Sequence, residues 1–250
     1  MKLTDPSIKL IANGESGNKE WTKTALKGLD GAIDYISYHA YVGTNGPSPY
    51  SIFQKIQGQD TWMREFAEMV KATVPDTVQN WKKWYRFPHR TAPVKIALDE
   101  WGIWEQQEPP YGTTNTYEWR HGLATACFLN AILHNAEHIG MANWAQMVNI
   151  LAPIMTNSQT SVKQTVFFPL KEYRKQSLKE SVQAKAQSPI IEKGLQSINV
   201  SATVDRDKKL MTVNIVNINP QALKTKLRFS GCKIGKLLNT TVMTATSLDA

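Results

Sequence analysis

Cysteine is almost missing from this 250-residue chain: Cys127 and Cys232 are the only two. Two distant cysteines make neither a disulfide framework nor a thiolate zinc pattern. Cys127 falls in the apolar run Leu123-Ala124-Thr125-Ala126-Cys127-Phe128, where a thiol serves as a small core residue. Long apolar runs are missing too; none approaches the roughly 18 residues that cross a bilayer. The start, Met1-Lys2-Leu3-Thr4-Asp5-Pro6, has no apolar signal core, so no secretion address is visible and the compartment stays open. Internal repeats and low-complexity segments are absent from the sequence.

Acidic charge is scarce in one part only. From residue 166 onward there are fourteen Lys+Arg against six Asp+Glu, whereas before it there are fifteen of each. The whole net charge of +8 therefore belongs to the C-terminal third. A basic surplus of this kind marks either a polyanion-binding face or a solvated one. The bases are scattered without interleaved aromatics, which favours the solvated face and gives no reason to expect nucleic acid.

What is present is ordinary for a folded chain: 42% hydrophobic residues and eight Trp, in a length that allows one large or two modest domains. Four apolar strand candidates, Ile8–Asn13, Ile33–Tyr38, Val94–Asp99 and Ile139–Trp144, occupy the first 150 residues. Helical patterns separate them. Lys19–Leu29 sets Trp21, Ala25 and Leu29 on one face, and Ser51–Val74 repeats Ile52, Phe53, Ile56, Met63, Phe66 and Met69. Tyr117–Glu137 carries Leu123, Cys127, Leu129, Ile132 and Leu133. Strands alternating with helices predict parallel βα units. The connections Gly43–Tyr50 and Glu105–Thr114 follow strand ends, where binding loops are usually built.

The pattern changes after Pro169. Lys171–Gln187 is polar and charged, and Ser188-Pro189 breaks the chain. Alternating runs then predict strands at Ile198–Val204, Leu210–Val216, Leu223–Phe229 and Leu237–Thr246, with a turn at Asp205-Arg206-Asp207-Lys208-Lys209. Such alternation reads as an antiparallel sheet or sandwich. A closed (β/α)8 barrel needs eight βα units and roughly 250 residues for itself. About four units are present, so the expected fold is half of a barrel followed by a β domain. Half a barrel leaves two sheet edges and much apolar surface open.

Chemistry concentrates where the third strand leaves the core, in Val94-Lys95-Ile96-Ala97-Leu98-Asp99-Glu100-Trp101-Gly102-Ile103-Trp104. A carboxylate at the end of a buried parallel strand is held rigidly and still reaches a substrate. Trp101 and Trp104 offer flat apolar faces to a sugar ring, so Glu100 reads as a glycosidase nucleophile. By spacing alone, an exposed acid at a strand end is the alternative. The second strand ends in Ser37-Tyr38-His39-Ala40-Tyr41, where His39 and Tyr41 point the same way. A phenol beside a carboxylate donates a hydrogen bond and fixes its angle of attack; a core histidine and a packed tyrosine are the alternative. The fourth runs into Asn143-Trp144-Ala145-Gln146-Met147-Val148-Asn149, whose amides suit sugar hydroxyls or loop backbone. His134-Asn135-Ala136-Glu137-His138 matches a short zinc pattern, but His138 enters the fourth strand and breaks the helical spacing.

These segments together resemble the α-L-arabinofuranosidases of glycoside hydrolase family 51. The stretches that carry the resemblance are 5–12, 34–41, 97–104 and 124–153, with Asp99-Glu100-Trp101 and Asn143-Trp144-Ala145-Gln146 in this order and spacing. The resemblance implies an α/β plus all-β chain: the second half of a (β/α)8 TIM barrel, strands five to eight, over residues 1–174, and a truncated antiparallel β-sandwich over 175–250. It implies retaining hydrolysis of terminal α-L-arabinofuranosyl units, with Glu100 as nucleophile and Tyr41 orienting it. His39, Trp104, Gln146 and, more weakly, Asn13 would contact the sugar. No cofactor and no metal are implied. The partner would be an arabinose-containing carbohydrate, with neither nucleic acid nor membrane, and full-length members commonly form homo-oligomers.

The departure is specific. The family's acid/base is a glutamate in an Asn-Glu pair at the end of strand four, and no Asn-Glu pair occurs in this sequence. Glu15, just past the first strand, sits on the wrong strand to replace it. The expectation is a chain that holds the nucleophile, lacks the acid and turns over poorly alone. The alternatives are a non-catalytic carbohydrate-binding chain and a fragment without a function of its own.

Overall fold

A computed structural model of the chain describes residues 1–15, 17–29, 32–74, 90, 92–105 and 116–250. The elements in order are β1 (Ile11–Ala12), α1 (Lys19–Leu29), β2 (Tyr35–Val42), α2 (Ser51–Thr73), β3 (Lys95–Ile103), α3 (Trp119–His134) and β4 (Ile139–Trp144). They continue with β5 (Ile154–Thr156), β6 (Ser161–Lys163), α4 (Phe167–Gln176), β7 (Glu180–Val182), β8 (Ile190–Glu192), β9 (Leu195–Gln196), β10 (Ile198–Asp205) and β11 (Leu210–Asn217).

Strands β1 to β4 form one parallel sheet in sequential order. One face of it carries the helices. Ile36, Tyr38, Ala40 and Val42 of β2 alternate into that layer, as do Ile96, Leu98, Trp101 and Ile103 of β3. From α2, Ile52, Phe53, Ile56, Met63, Phe66 and Val70 recur at helical spacing and meet them. Ring contacts seal the layer: Tyr38 lies 5.0 Å from Phe66 and Trp101 lies 4.9 Å from Phe128 of α3. Each such large apolar side chain contributes on the order of 1.5–3 kcal/mol by leaving water. The opposite face of the sheet is the one that a closed barrel would turn inward. Gly140 of β4 lets the ring of Tyr35 lie close there, since a Cβ would stand 2.3 Å from it.

The second part is an antiparallel sheet, β11-β10-β7, laid against α3, on which α4 also packs. Asn130, fully buried in α3, ties it down. Its amide donates to Asn199 at 2.6 Å, and its oxygen accepts from Tyr173 of α4 at 2.7 Å and from Ser201 of β10 at 2.5 Å. His134, at the end of α3, bridges Asp60 of α2 at 2.9 Å and the carbonyl of Val200 at 2.7 Å. The arrangement is thus α/β followed by a β domain of the sandwich type.

Several expectations need correction. Leu223–Phe229 and Leu237–Thr246 are not strands; residues after Asn217 run without a ladder and are largely exposed. Alternation supplies a face, but a strand exists only where a neighbour takes its N–H and C=O groups. The face of α1 is also rotated from the expected one. Thr22 and Leu26 are buried against α2 and β1, while Trp21 and Leu29 are exposed. The first strand shrinks to Ile11–Ala12. Helix α4 was hidden by its polar composition; its Pro169 sits in the first turn, where no hydrogen-bonded N–H is needed. Of the Glu105–Thr114 connection only Glu105 is among the described residues.

Candidate active site

The site forms where β2 and β3 end side by side. Strict alternation along β3 would send Asp99 and Glu100 to opposite faces. The ladder is irregular here: Ser37 pairs with Ala97, but His39 pairs with Glu100. The same stretch is irregular toward β4, where Leu98 pairs with Ala142 and Trp101 with Trp144. One extra residue in β3 therefore bulges relative to both neighbours, and a bulge re-aims side chains. Trp101 and Ile103 return to the helix layer, and both carboxylates reach the polar face.

There they meet the odd-numbered side chains of β2. The Tyr41 hydroxyl donates to Glu100 Oε2 at 2.9 Å. Burial, then the Glu100 and Asp99 carboxylates, push the Tyr41 phenol well up, so it stays protonated and acts as a donor. Asp99 Oδ1 accepts from the buried Ser37 hydroxyl at 2.8 Å. His39 stands between the two acids, with Nε2 3.4 Å from Asp99 and Nδ1 3.6 Å from Glu100. Trp104 meets the Tyr41 ring edge-on, with centroids 5.3 Å apart and its own surface 44% exposed. The group can therefore hold a carboxylate steady beside an aromatic wall, open to a ligand.

A second layer supports this wall. The Trp104 N–H donates to Val42 at 2.9 Å, and the next residue, Glu105, is half-buried. Glu105 accepts from the Thr44 N–H at 2.6 Å and from the Thr44 hydroxyl at 2.7 Å. His121 Nε2 lies 3.3 Å from the same carboxylate. Since His121 Nδ1 accepts from the Glu118 N–H at 2.9 Å, its proton is on Nε2 and points to Glu105. Burial acts to raise the Glu105 pKa, but the bonds from His121 and Thr44 prevail and hold it below the usual range.

The remaining expected site residues are less engaged. Gln146 follows β4, beside β3, and is exposed; it makes no side-chain bond to a described residue. Asn13 follows β1, two strands from β3 and hence roughly 10 Å across the sheet. It too is exposed and unbonded among the described residues. Glu15 turns its carboxylate onto the Gly17 N–H at 3.0 Å. The His134–His138 spacing fails as a zinc site because α3 ends at His134 and a turn follows. Among the described residues no group of three or more His, Cys, Asp or Glu could hold a metal ion. Ser37, Glu105 and His121 were not legible as site residues. Their one sequence signal is that Ser37 shares the face of His39 and Tyr41.

Comparison with known proteins bears on the family and the fold. The profile described as the α-L-arabinofuranosidase C-terminal domain matches residues 99–250. An intracellular exo-α-(1→5)-L-arabinofuranosidase of Halalkalibacterium halodurans is 30% identical over 206 residues, which are 76% of this chain and 39% of that protein. The enzyme of the same name from Streptomyces lividans is 26% identical over the whole chain, again 39% of its own length. The chain thus spans about two fifths of these curated relatives. The solved family 51 α-L-arabinofuranosidase of Bifidobacterium longum superposes with a TM-score of 0.72 at 19% identity, over 87% of this chain and 47% of that one. The Thermotoga maritima α-L-arabinofuranosidase, solved with arabinose, gives 0.71 at 22% identity, over 86% and 44%. At these identities the structures speak for the fold, and the sequence relatives and the profile for the family. The chain belongs to the α-L-arabinofuranosidase family and corresponds to its C-terminal region.

Proposed function

We propose that this chain carries the nucleophile half of a retaining site for terminal α-L-arabinofuranosyl units. Residues 1–174 would contribute strands five to eight of a barrel, and 175–250 the sandwich part. The observation that supports this most is the 2.9 Å bond from Tyr41 to Glu100 on the polar face of the sheet. A phenol that donates to one carboxylate oxygen leaves the other free to attack the anomeric carbon. Trp104 would wall the ring, His39 would meet its hydroxyls, and Gln146 and Asn13 would enter only with a bound sugar.

Retention needs a second carboxyl about 5–5.5 Å away to protonate the leaving oxygen and later activate water. Glu105 cannot serve, because Thr44 and His121 occupy its oxygens. Without an acid, attack expels an unprotonated alkoxide and forgoes about 10²–10⁴-fold in rate. Turnover of natural arabinosides by this chain alone is therefore negligible in this reading. An aryl arabinofuranoside with a strongly acidic phenol as leaving group needs no proton: a Glu100 oxygen bonds the anomeric carbon, the glycosidic C–O bond breaks, the phenolate departs and Glu100 is left glycosylated. Intact-mass measurement should show one pentosyl adduct in the parent chain and none in Glu100→Gln. Equal labelling of both proteins would reject the assignment. Saturable sugar binding without an adduct would instead favour a carbohydrate-binding role, which the 44% exposure of Trp104 also fits.

A further inference from the structure

Glu105 spends both carboxylate oxygens on its surroundings, at a point where two strand-end loops come together. The loop after β2 begins at Gly43, and a Cβ there would stand 2.5 Å from the carbonyl of Trp104. The two backbones are therefore in direct contact. Immediately beyond, Thr44 closes on Glu105 with its N–H at 2.6 Å and its hydroxyl at 2.7 Å. This is a two-point grip: rotation of either loop breaks at least one bond. Behind it His121 donates from the first turn of α3, and its ring is locked by the Glu118 N–H. Lys55 of α2 holds the outer side of the same loop through the carbonyl of Gly43 at 2.9 Å. The Trp104 N–H is fixed by Val42, and its ring lies edge-on to Tyr41, the donor to Glu100.

We propose that Glu105 is a positioning residue of the site: its carboxylate staples the loop after β2 to the exit of β3 and so sets the Trp104 ring against Tyr41. Glu105 touches no reacting atom. What it fixes is the distance between the aromatic wall and Glu100, and a pentofuranosyl ring must fit between them. That last step rests on the function proposed above; the stapling of Trp104 does not. Ionic acceptors of this kind make the stronger hydrogen bonds, and a half-buried one that loses its donors is hard to replace. Glutamine at this position keeps the size but turns an NH2 group toward donors.

Fluorine NMR of the chain labelled with fluorotryptophan tests this directly, the Trp104 line being the one lost in Trp104→Phe. In Glu105→Gln the Trp104 line should shift or broaden while those of Trp101 and Trp144 hold. Thr44→Val, which removes one of the two Thr44 bonds, should move the Trp104 line in the same direction, and Thr44→Ser should leave it in place. Affinity for methyl α-L-arabinofuranoside should fall roughly threefold or more in Glu105→Gln. An unmoved Trp104 line in Glu105→Gln overturns the proposal. Should that variant unfold, equal behaviour of Thr44→Val and Thr44→Ser overturns it instead. A moved line with no arabinoside binding in the parent chain keeps the staple and rejects the sugar reading.

Discussion

His39 pairs across the sheet with Glu100 and not with Asp99, because β3 holds one residue more than β2 between Ala97 and the site. Toward β4 the surplus is local, because β4 holds one residue more between Ile139 and Met141 and the register of Ile96 with Ile139 is regained at Trp101 with Trp144. Deleting Asp99 should therefore regularise the β2–β3 ladder and leave Glu100 facing His39 and Tyr41. Ser37 would lose its acceptor, which costs about 1–3 kcal/mol for a buried hydroxyl. Denaturant unfolding reads that loss, and mass labelling reads the retained Glu100. Loss of labelling with unchanged stability would place Asp99 in the chemistry itself.

Tyr41→Phe removes the donor and keeps the ring. A hydrogen bond to an ionised acceptor is worth roughly 1.5–3 kcal/mol, and about 1.4 kcal/mol is a factor of ten. Labelling of Glu100 by an activated arabinofuranoside should slow by roughly tenfold or more, with melting nearly unchanged because the Trp104 contact survives. An unchanged labelling rate would detach Tyr41 from the role given to it.

The Asp60–His134 pair gives stability a pH dependence. His134 offers both ring nitrogens to acceptors, the Asp60 carboxylate and the Val200 carbonyl, so the imidazolium fits best. Its pKa is raised, first by its bond to the Asp60 carboxylate and against the pull of burial and Arg64. A raised folded-state pKa stabilises fully below the ordinary value of 6.5 and is lost as pH rises through the folded value. Burial acts to raise the Asp60 pKa, but His134, Asn135 and Arg64 prevail and lower it. Its contribution is present above 3.8 and disappears as pH falls through the folded value. Melting temperature should drop as pH climbs above 6.5, and His134→Gln should flatten that limb. A parallel decline in His134→Gln would refute the pair as its source.

Asn130→Ala tests how the β domain is held. The change strands the hydroxyl of Tyr173 and the side-chain oxygen of Asn199 around a buried gap, while Ser201 keeps the bond it accepts from Asn214. Each partner left without a bond costs about 1–3 kcal/mol. Unfolding should become easier by several kcal/mol or lose its single transition. A change below about 1 kcal/mol would mean that apolar packing alone joins α3 to β10.

Periodicity made much of this legible. Helix α1 and strand β4 have the limits that the apolar pattern predicts, and α2 ends one residue earlier. Helix α2 buries a continuous stripe, so its pattern records its surroundings. The outer face of α1 was misread because Trp21 is apolar yet exposed, and hydrophobicity fixes a face only where something covers it. Leu223–Phe229 and Leu237–Thr246 failed for a related reason: alternation is local, and pairing is not. In the site, Glu100, Tyr41 and His39 were readable from strand ends. Glu105 and His121 were not, since their meaning lies in a loop 61 residues away and a helix start.

The order of strands and helices through β4, the acids at the exit of β3 and the family were legible in the sequence, because periodic burial and a short dense motif are local properties of the chain. Tertiary structure alone decided that Asp99 and Glu100 share one face of the sheet, since one bulged residue breaks alternation and only the neighbouring strands set its place. It likewise decided that Glu105 is bound to Thr44 and His121, as hydrogen bonds depend on distances that no linear pattern carries.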